Sequence, residues 1–257
     1  RYVLARGSVE EAKELWPFIK WCLEYTRRQL NDAGVPRSDR DELEGRFPAG
    51  EANLCTATLY YDGLVSAAYL APLVGEPKSV ANTYRKQAED LYKAINKYFS
   101  ANVSGFETYR YYDGNTVLRS WICMPLCFGF KERVEGTLAA LYSPKLLTVD
   151  GLLTAEGDVT FWDRSTLYAL RGVYAVGATE KATEFMKKYS ATRLLGDHVP
   201  YAIEAWPEGS QRHLSAESGL YARIITEGMF GIRPTGFKSF TLTPRLPKDW
   251  DFMNLKD

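Results

Sequence analysis

The sequence predicts an all-α fold in which successive helices run antiparallel, an α/α toroid. Three observations support this fold class. Apolar residues recur at helical spacing through about eight segments of the chain. Long polar loops join the helix pairs at one end only, which is typical of stacked helix hairpins. A strand-like alternation is confined to the residues after Gly231.

The first predicted helix covers about residues 8–33. Ser8 and Glu11 form a capping box at its start, and Gly34 is the expected stop. Further helices are expected at about 52–74, 79–99, 120–128, 132–142, 164–176, 179–190 and 215–230. Richly apolar helices alternate with amphipathic ones in this succession.

Two long polar loops, at 34–51 and 196–213, interrupt the helical pattern. Residues 105–119 are expected to be irregular or hairpin-like, with Asp113-Gly114 as the turn signal. Because both polar loops contain acidic and aromatic residues, they are the first places to search for a site.

The pattern changes near the end of the chain. Phe237, Phe240 and Leu242 alternate with polar residues, which indicates β-structure. The sequence therefore predicts a helical domain at 1–232 and the start of a β-domain at 233–257. Neither end shows the features of a natural terminus, so the chain is expected to be a piece of a longer protein.

Composition restricts the classes of function. Lys+Arg and Asp+Glu number 32 each and no basic run stands out, which argues against a nucleic-acid partner. The nearly uncharged stretch 52–75 contains Asn53, Ser66 and Pro72, so it is interpreted as a buried helix without membrane insertion. Aromatic residues reach 14%, which indicates either a large aromatic core or sugar binding, since flat rings stack on pyranoses.

Several catalytic motifs are absent from the sequence. It contains no P-loop, no G-x-G-x-x-G, no G-x-S-x-G and no H-E-x-x-H. The only histidines are His198 and His213, and the four cysteines show no metal spacing, so no metal and no cofactor is expected. The cysteines are interpreted as buried thiols.

The two polar loops place carboxylates among aromatic residues. The first contains Asp39, Asp41, Glu42, Glu44 and Glu51 beside Arg46 and Phe47, and the second contains Glu204 and Glu208 flanked by Tyr201, Trp206 and His213. Glycoside hydrolysis needs one protonated carboxyl group, which gives its proton to the leaving oxygen, and one ionised group. An apolar neighbour can raise a carboxyl pKa. Solvated loop acids are the alternative interpretation.

Three stretches of the sequence look like parts of known enzymes. They are residues 38–46 leading into 59–64, Met124-Pro125-Leu126 followed by Phe161-Trp162-Asp163-Arg164 and Tyr168, and Ile203-Glu204-Ala205-Trp206 followed by 217–221. Together they resemble the six-hairpin glycosidases: inverting α-L-rhamnosidases and, more distantly, trehalases and glucoamylase-type glucosidases. They are similar to the acid-bearing loop, to the Pro-Leu segment with its Trp-rich loop, and to the base motif. Ile203 departs from the Trp of that base motif.

The resemblance implies an (α/α)6 barrel of which this chain is the C-terminal part, with upstream helices missing and a β-sandwich beginning at the end. It implies an exo-acting, inverting hydrolase of oligosaccharides or polysaccharides, secreted or periplasmic by family habit. Glu204 would be the general base and Glu42 or Glu44 the general acid, with the carboxyl groups about 6.5–9.5 Å apart. Arg46 and Phe47 stand where rhamnosidases carry a Trp, and an arginine there could pair with an acidic or heavily hydroxylated sugar.

Further residues are candidate sugar contacts: Asp41, Arg46, Phe47, Trp162, Asp163, Arg164, Trp206 and His213. Structural roles are the alternatives, namely an N-cap for Asp163, a helix-dipole or ion-pair role for Arg164, and core packing for both tryptophans. Asp62 is interpreted as a satisfied buried acid. The tyrosines form either a stacking wall or a packed cluster: Tyr109, Tyr111 and Tyr112.

Other interpretations stay open. The same toroid could belong to a phosphorylase, an unsaturated-uronide hydrolase, or an epimerase centred on His198 or His213. A non-catalytic carbohydrate-binding protein would keep the aromatic residues without gathering the acids. A terpene-cyclase type of toroid fits less well, because the loops here are polar.

Overall fold

The computed structural model describes most of the chain, and its helices alternate with short strand pairs. The described residues are 1–38, 40–41, 47–194, 205–206 and 215–256. They are predominantly helical, as the sequence predicts, and divide into two compact units.

The described elements follow the expected succession. The helices are α1 (Tyr2–Arg6), α2 (Val9–Arg28), α3 (Leu54–Leu73), α4 (Lys78–Phe99), α5 (Met124–Cys127), α6 (Val134–Leu141), α7 (Asp163–Ala175), α8 (Thr179–Arg193) and α9 (Ser215–Arg223). A 3-10 turn, Ser120–Cys123, precedes α5, and a π-helical segment, Ile224–Met229, follows α9. The paired strands are β1 (Ser100–Val103) with β2 (Phe106–Tyr109), β3 (Leu147–Thr148) with β4 (Gly151–Leu152), β5 (Phe161–Trp162) with β6 (Ala205–Trp206), and β7 (Arg233–Gly236) with β8 (Ser239–Thr241).

Unit 1 is built around the hairpin of α3 and α4. It comprises Arg1–Ala101, Arg110–Asn115 and Arg233–Thr241. Helix α2 packs on α3, and β7 lies against α1 and α3. Helix α3 is apolar on most sides and largely buried, whereas α2 and α4 each bury one face. The predicted alternation of apolar and amphipathic helices is therefore confirmed in this unit.

The predicted end of the first helix near residue 33 is wrong, because α2 ends at Arg28. The Asn31 side-chain oxygen accepts the backbone N–H groups of Ala33 and Val35, at 3.0 and 3.2 Å. A side-chain acceptor of this kind offers the backbone an alternative to the helix. Gly34, the expected stop, lies in the turn that follows, with a left-handed φ of 80°.

Asp62 is a satisfied buried acid, as predicted. Its carboxylate accepts the Arg1 Nε at 2.9 Å and the Arg233 Nη2 at 3.3 Å. Because both arginines come from other elements of unit 1, the pairs tie α3 to the start of the chain and to β7. Without these two partners, a charge buried in an apolar helix would destabilise the folded protein.

Helix α7 is the centre of unit 2. This unit comprises Asn102–Tyr109, Thr116–Ile232 and Leu242–Asp257. The 3-10 turn, α5, α8, α9 and the π-helical segment all pack on α7. Gly172 permits the close approach of α5, since a Cβ there would lie 3.0 Å from Leu126 and 3.1 Å from the Cys127 Sγ. Cys123 and Cys127 are buried thiols that form no disulfide, as expected.

Asp113-Gly114 forms a turn, as the sequence predicts: the Asn115 backbone N–H donates to the Tyr112 carbonyl at 3.1 Å, and Gly114 has a left-handed φ of 84°. This turn does not connect a strand pair, and the hairpin lies earlier in the chain. The β1–β2 turn falls at Ser104 and Gly105, which both adopt left-handed backbone conformations, with φ values of 52° and 91°. Two consecutive residues with positive φ are what a tight hairpin turn requires. Tyr109 and Tyr111 are fully buried, so packing and not an exposed stacking wall is their role.

The hairpin of β7 and β8 agrees with the predicted change to β-structure after Gly231. The expected β-sandwich and the domain boundary at 232/233 stay predictions. Among the described helices, none is long and apolar enough to cross a membrane.

Candidate functional site

Asn53 connects the acidic loop to the first turn of α3. Its side-chain oxygen accepts the backbone N–H of Thr56 at 2.8 Å and so caps the helix. Its side-chain NH2 donates to the backbone oxygens of Ser38 and Arg40, at 3.4 and 3.2 Å. Asn53 is fully buried, so its polar atoms depend on these bonds. The start of the loop is therefore held at the N-terminal end of α3.

Asp41 lies beside the same end of α3. It accepts a hydrogen bond of 2.7 Å from the Tyr111 hydroxyl, and the Tyr111 carbonyl accepts the backbone N–H of Leu54 at 2.9 Å. Phe47, another candidate sugar contact, is partly exposed. The remaining candidates of this loop lie outside the described residues: Glu42, Glu44 and Arg46.

Substitutions of Asn53 separate its two roles. Asn53→Ser keeps a capping oxygen but loses the donors to the loop, whereas Asn53→Ala loses the cap as well. We expect Asn53→Ala to be less stable than Asn53→Ser by about 1 kcal/mol, measured by urea unfolding. Equal unfolding free energies for the two variants would contradict the capping role.

Two of the three glycosidase-like stretches meet in unit 2. Strand β5 pairs antiparallel with β6, with Phe161 opposite Trp206 and Trp162 opposite Ala205. The Trp-rich stretch and the base motif, distant in sequence, therefore share one ladder. Glu204 directly precedes β6 in the sequence, but it lies outside the described residues, as do His198 and His213.

Asp163 forms a buried ion pair and not the helix cap. The N-cap of α7 is Trp162, which makes no side-chain cap bond, so the capping role, the alternative to a sugar contact for Asp163, is wrong. The fully buried Asp163 accepts the Arg193 Nη2 at 2.7 Å. Burial raises the pKa of Asp163 to about 6, against the opposing effect of Arg193. Burial and, after it, the neighbouring Asp163 carboxylate raise the pKa of the Tyr189 hydroxyl well above its usual value.

Arg164 forms an ion pair, which was one of the structural alternatives to a sugar contact. Its Nε donates to the Glu217 Oε1 at 2.8 Å, and the Glu217 side chain has no exposed surface. Trp162 is also buried, at 5% exposure, which agrees with packing in the core. Sequence reasoning missed Glu217 and Arg193 because their partners are 53 and 30 positions away. The one available signal was the position of Glu217 in the first turn of the helix that follows the base motif.

None of the predicted site residues that the structure describes lines the pockets found in the two units. In unit 2, a pocket of 430 Å³ is lined by apolar parts of α7, α8 and the C-terminal segment, including Met186 and Trp250. In unit 1, a pocket of 350 Å³ lies between α3 and α4. The candidate chemistry is therefore assigned from the motif residues and not from these pockets. No group of metal-ligating side chains occurs within the described ranges.

The similarity of this chain to known proteins is a similarity of fold. No family model and no curated protein sequence matches the chain. A sialidase superposes with a TM-score of 0.74 at 14% identity, over 97% of this chain and 27% of that one. A GH78 rhamnosidase of Bacillus sp. GL1 gives 0.61 at 15% identity, over 90% and 25% of the two chains. The neutral trehalase Nth1 of Saccharomyces cerevisiae gives 0.53 at 14% identity, over 68% and 38%. This chain has a six-hairpin glycosidase-like fold.

The six-hairpin glycosidase-like fold confirms the resemblance stated from the three stretches. The chain spans less than two fifths of the length of each of these similar structures. A closed barrel of twelve helices, the β-sandwich and the roles of the site residues therefore stay predictions.

Proposed function

We propose that this chain belongs to a glycoside hydrolase that releases a terminal sugar from an oligosaccharide or polysaccharide. The observation that carries the proposal is the fold likeness to a sialidase over 97% of the chain, beside likenesses to a rhamnosidase and a trehalase. Fold alone does not decide a reaction. The acidic residues of the two loops supply the chemistry.

The proposed reaction is a single displacement with inversion. Glu42 or Glu44 gives its proton to the glycosidic oxygen as the bond to the anomeric carbon breaks. Glu204 takes a proton from the water that attacks that carbon from the opposite face. The products are the free sugar and the shortened chain, and the two carboxyl groups return to their starting states after exchange of a proton with solvent.

Contacts in both units support these assignments. In unit 1, Asn53 and Tyr111 bind Arg40 and Asp41, the two residues that precede Glu42 in the acidic loop. In unit 2, the residue that follows Glu204 is paired with Trp162 in the β5–β6 ladder. Both predicted catalytic segments are thus attached to well-packed helices, α3 and α7, and catalytic groups need such support to keep their geometry.

The test is sugar release from a panel of substrates. The purified protein is incubated with a sialoside, a rhamnoside, trehalose and plant and host oligosaccharides, and the free sugars are measured by chromatography. We expect one monosaccharide to appear, and its first-formed anomer, followed by NMR, to have the inverted configuration. A retained configuration would contradict the single displacement.

Two other outcomes would replace the proposal. Release that depends on added phosphate would identify a phosphorylase. Binding of an oligosaccharide without any release would identify a carbohydrate-binding protein. Because Arg46 can pair with a carboxylate, an acidic sugar is the substrate class to test first.

A further inference from the structure

Three consecutive residues of unit 2 each hold a different part of the chain. Trp162 pairs with Ala205 in the β5–β6 ladder. Asp163 binds Arg193, the last residue of α8, at 2.7 Å. Arg164 binds Glu217, in the first turn of α9, at 2.8 Å. We call Trp162, Asp163 and Arg164 the anchor triplet.

The partners of the anchor triplet flank the two segments that surround the base motif. Arg193 lies before the segment 195–204, Ala205 lies between that segment and 207–214, and Glu217 lies after the second. All three anchors are therefore at the ends of these segments. Both flanks of the stretch that contains Glu204 are attached to a single point, the junction of β5 and α7.

We infer that Asp163 and Arg164 are positioning residues, which fix the flanks of the segments around the predicted base and do not themselves contact the sugar. This inference rests on the proposed function, because it assigns the base to Glu204. It replaces the interpretation of both residues as sugar contacts. Their charged groups are engaged by Arg193 and Glu217, and Asp163 has no exposed surface with which to contact a substrate.

The burial of the two pairs explains why they could act as anchors. Asp163 and Glu217 are both fully buried, so a carboxylate that lost its arginine would be left as an uncompensated charge. Surface ion pairs, in contrast, exchange readily with water and hold little. A buried ion pair therefore resists separation of the two chain segments that it joins.

Unit 2 provides a matched control pair. Arg171, also on α7 and buried, binds Glu227 of the π-helical segment at 3.1 Å. This pair joins the same helix to another element, but it flanks neither of the two segments. Glu227 also accepts the Arg223 Nε at 2.7 Å. Glu217→Gln and Glu227→Gln therefore each remove the charge that an arginine of α7 binds, and only the first removes an anchor.

The experiment compares hydrogen exchange and kinetics in these two variants. We expect Glu217→Gln to speed amide exchange in β5 and β6 by about tenfold or more. We also expect it to lower kcat by about a hundredfold, with a smaller change in KM, because a misplaced base slows the chemical step. Glu227→Gln is expected to lower the melting temperature without either effect.

Should Glu217→Gln fail to fold, Arg164→Lys gives a milder test, since it keeps the charge but loses the planar guanidinium fork. Equal exchange in the two variants, or fast exchange of β6 in the unmodified protein, would overturn the inference. Absence of sugar release by the unmodified protein would overturn the proposed function instead. The exchange measurement tests whether the Arg164–Glu217 pair holds β5 and β6 together, and it does not depend on activity.

Discussion

Replacement of Glu204 by glutamine is expected to lower kcat for sugar release by about 10²–10⁴-fold, with little change in KM. Glutamine has nearly the shape of glutamate but cannot accept a proton from the attacking water. The loss therefore concerns the chemical step and not substrate binding. The measurement is steady-state kinetics on the substrate identified from the panel, with circular dichroism to verify that the variant folds.

Glu208 provides the matched control for this substitution. It is the other glutamate of the same loop, four positions further along the chain. We expect Glu208→Gln to retain activity near that of the unmodified protein. If Glu208→Gln loses activity and Glu204→Gln does not, Glu208 is the base and the similarity of 203–206 to the rhamnosidase base motif has misplaced it.

The second large effect concerns the pH dependence of stability at Asp163. Burial raises its pKa from 3.8 to about 6 in the folded protein, against the opposing effect of Arg193. The folded state then binds more protons than the unfolded state between these values, so the contribution of Asp163 to stability falls as the pH rises. It is fully present below about pH 4 and is lost above about pH 6.

The size of this change in stability follows from the pKa shift of Asp163. The rise from 3.8 to about 6 corresponds to about 3 kcal/mol, at about 1.4 kcal/mol for each pH unit. An asparagine side chain cannot ionise, so Asp163→Asn should remove this part of the pH dependence. We expect the unfolding free energy of the unmodified protein, relative to Asp163→Asn, to fall by about 3 kcal/mol between pH 4 and pH 7. Denaturant unfolding at a series of pH values measures it.

Asp158 provides a control with the opposite sign. Burial opposes its ionisation, but hydrogen bonds from Thr154 and from the backbone N–H groups of Val159 and Thr160 lower the pKa of Asp158 overall. The unmodified protein should therefore gain stability relative to Asp158→Asn as the pH rises through the acidic range. The same trend in both variants would contradict the assignment of the shift to the burial of Asp163.

The sequence by itself determined the helical succession and the fold family. Helix periodicity and capping residues are local signals, so the positions of α3, α4, α7 and α8 could be predicted to within a few residues. The resemblance of three stretches to the six-hairpin glycosidases also needed only the order of motifs along the chain. Glu42, Glu44 and Glu204 stay predictions of this kind.

Local signals failed where a side chain competes with the backbone or where a turn depends on left-handed residues. Asn31 accepts backbone N–H groups in the turn where a longer α2 was expected. The β1–β2 hairpin turns at Ser104-Gly105, whereas the turn at Asp113-Gly114 connects no strand pair. Both outcomes depend on which of two similar local conformations the surrounding packing favours.

Only the tertiary structure decided the roles of Asp163 and Arg164. In the sequence they follow a tryptophan and start a helix, a context that equally suits a cap, a sugar contact or an ion pair. Their partners, Arg193 and Glu217, come from two other helices and become neighbours only when α8 and α9 pack on α7. A buried charge takes its role from whichever opposite charge the fold brings to it, because without that partner it could not be buried.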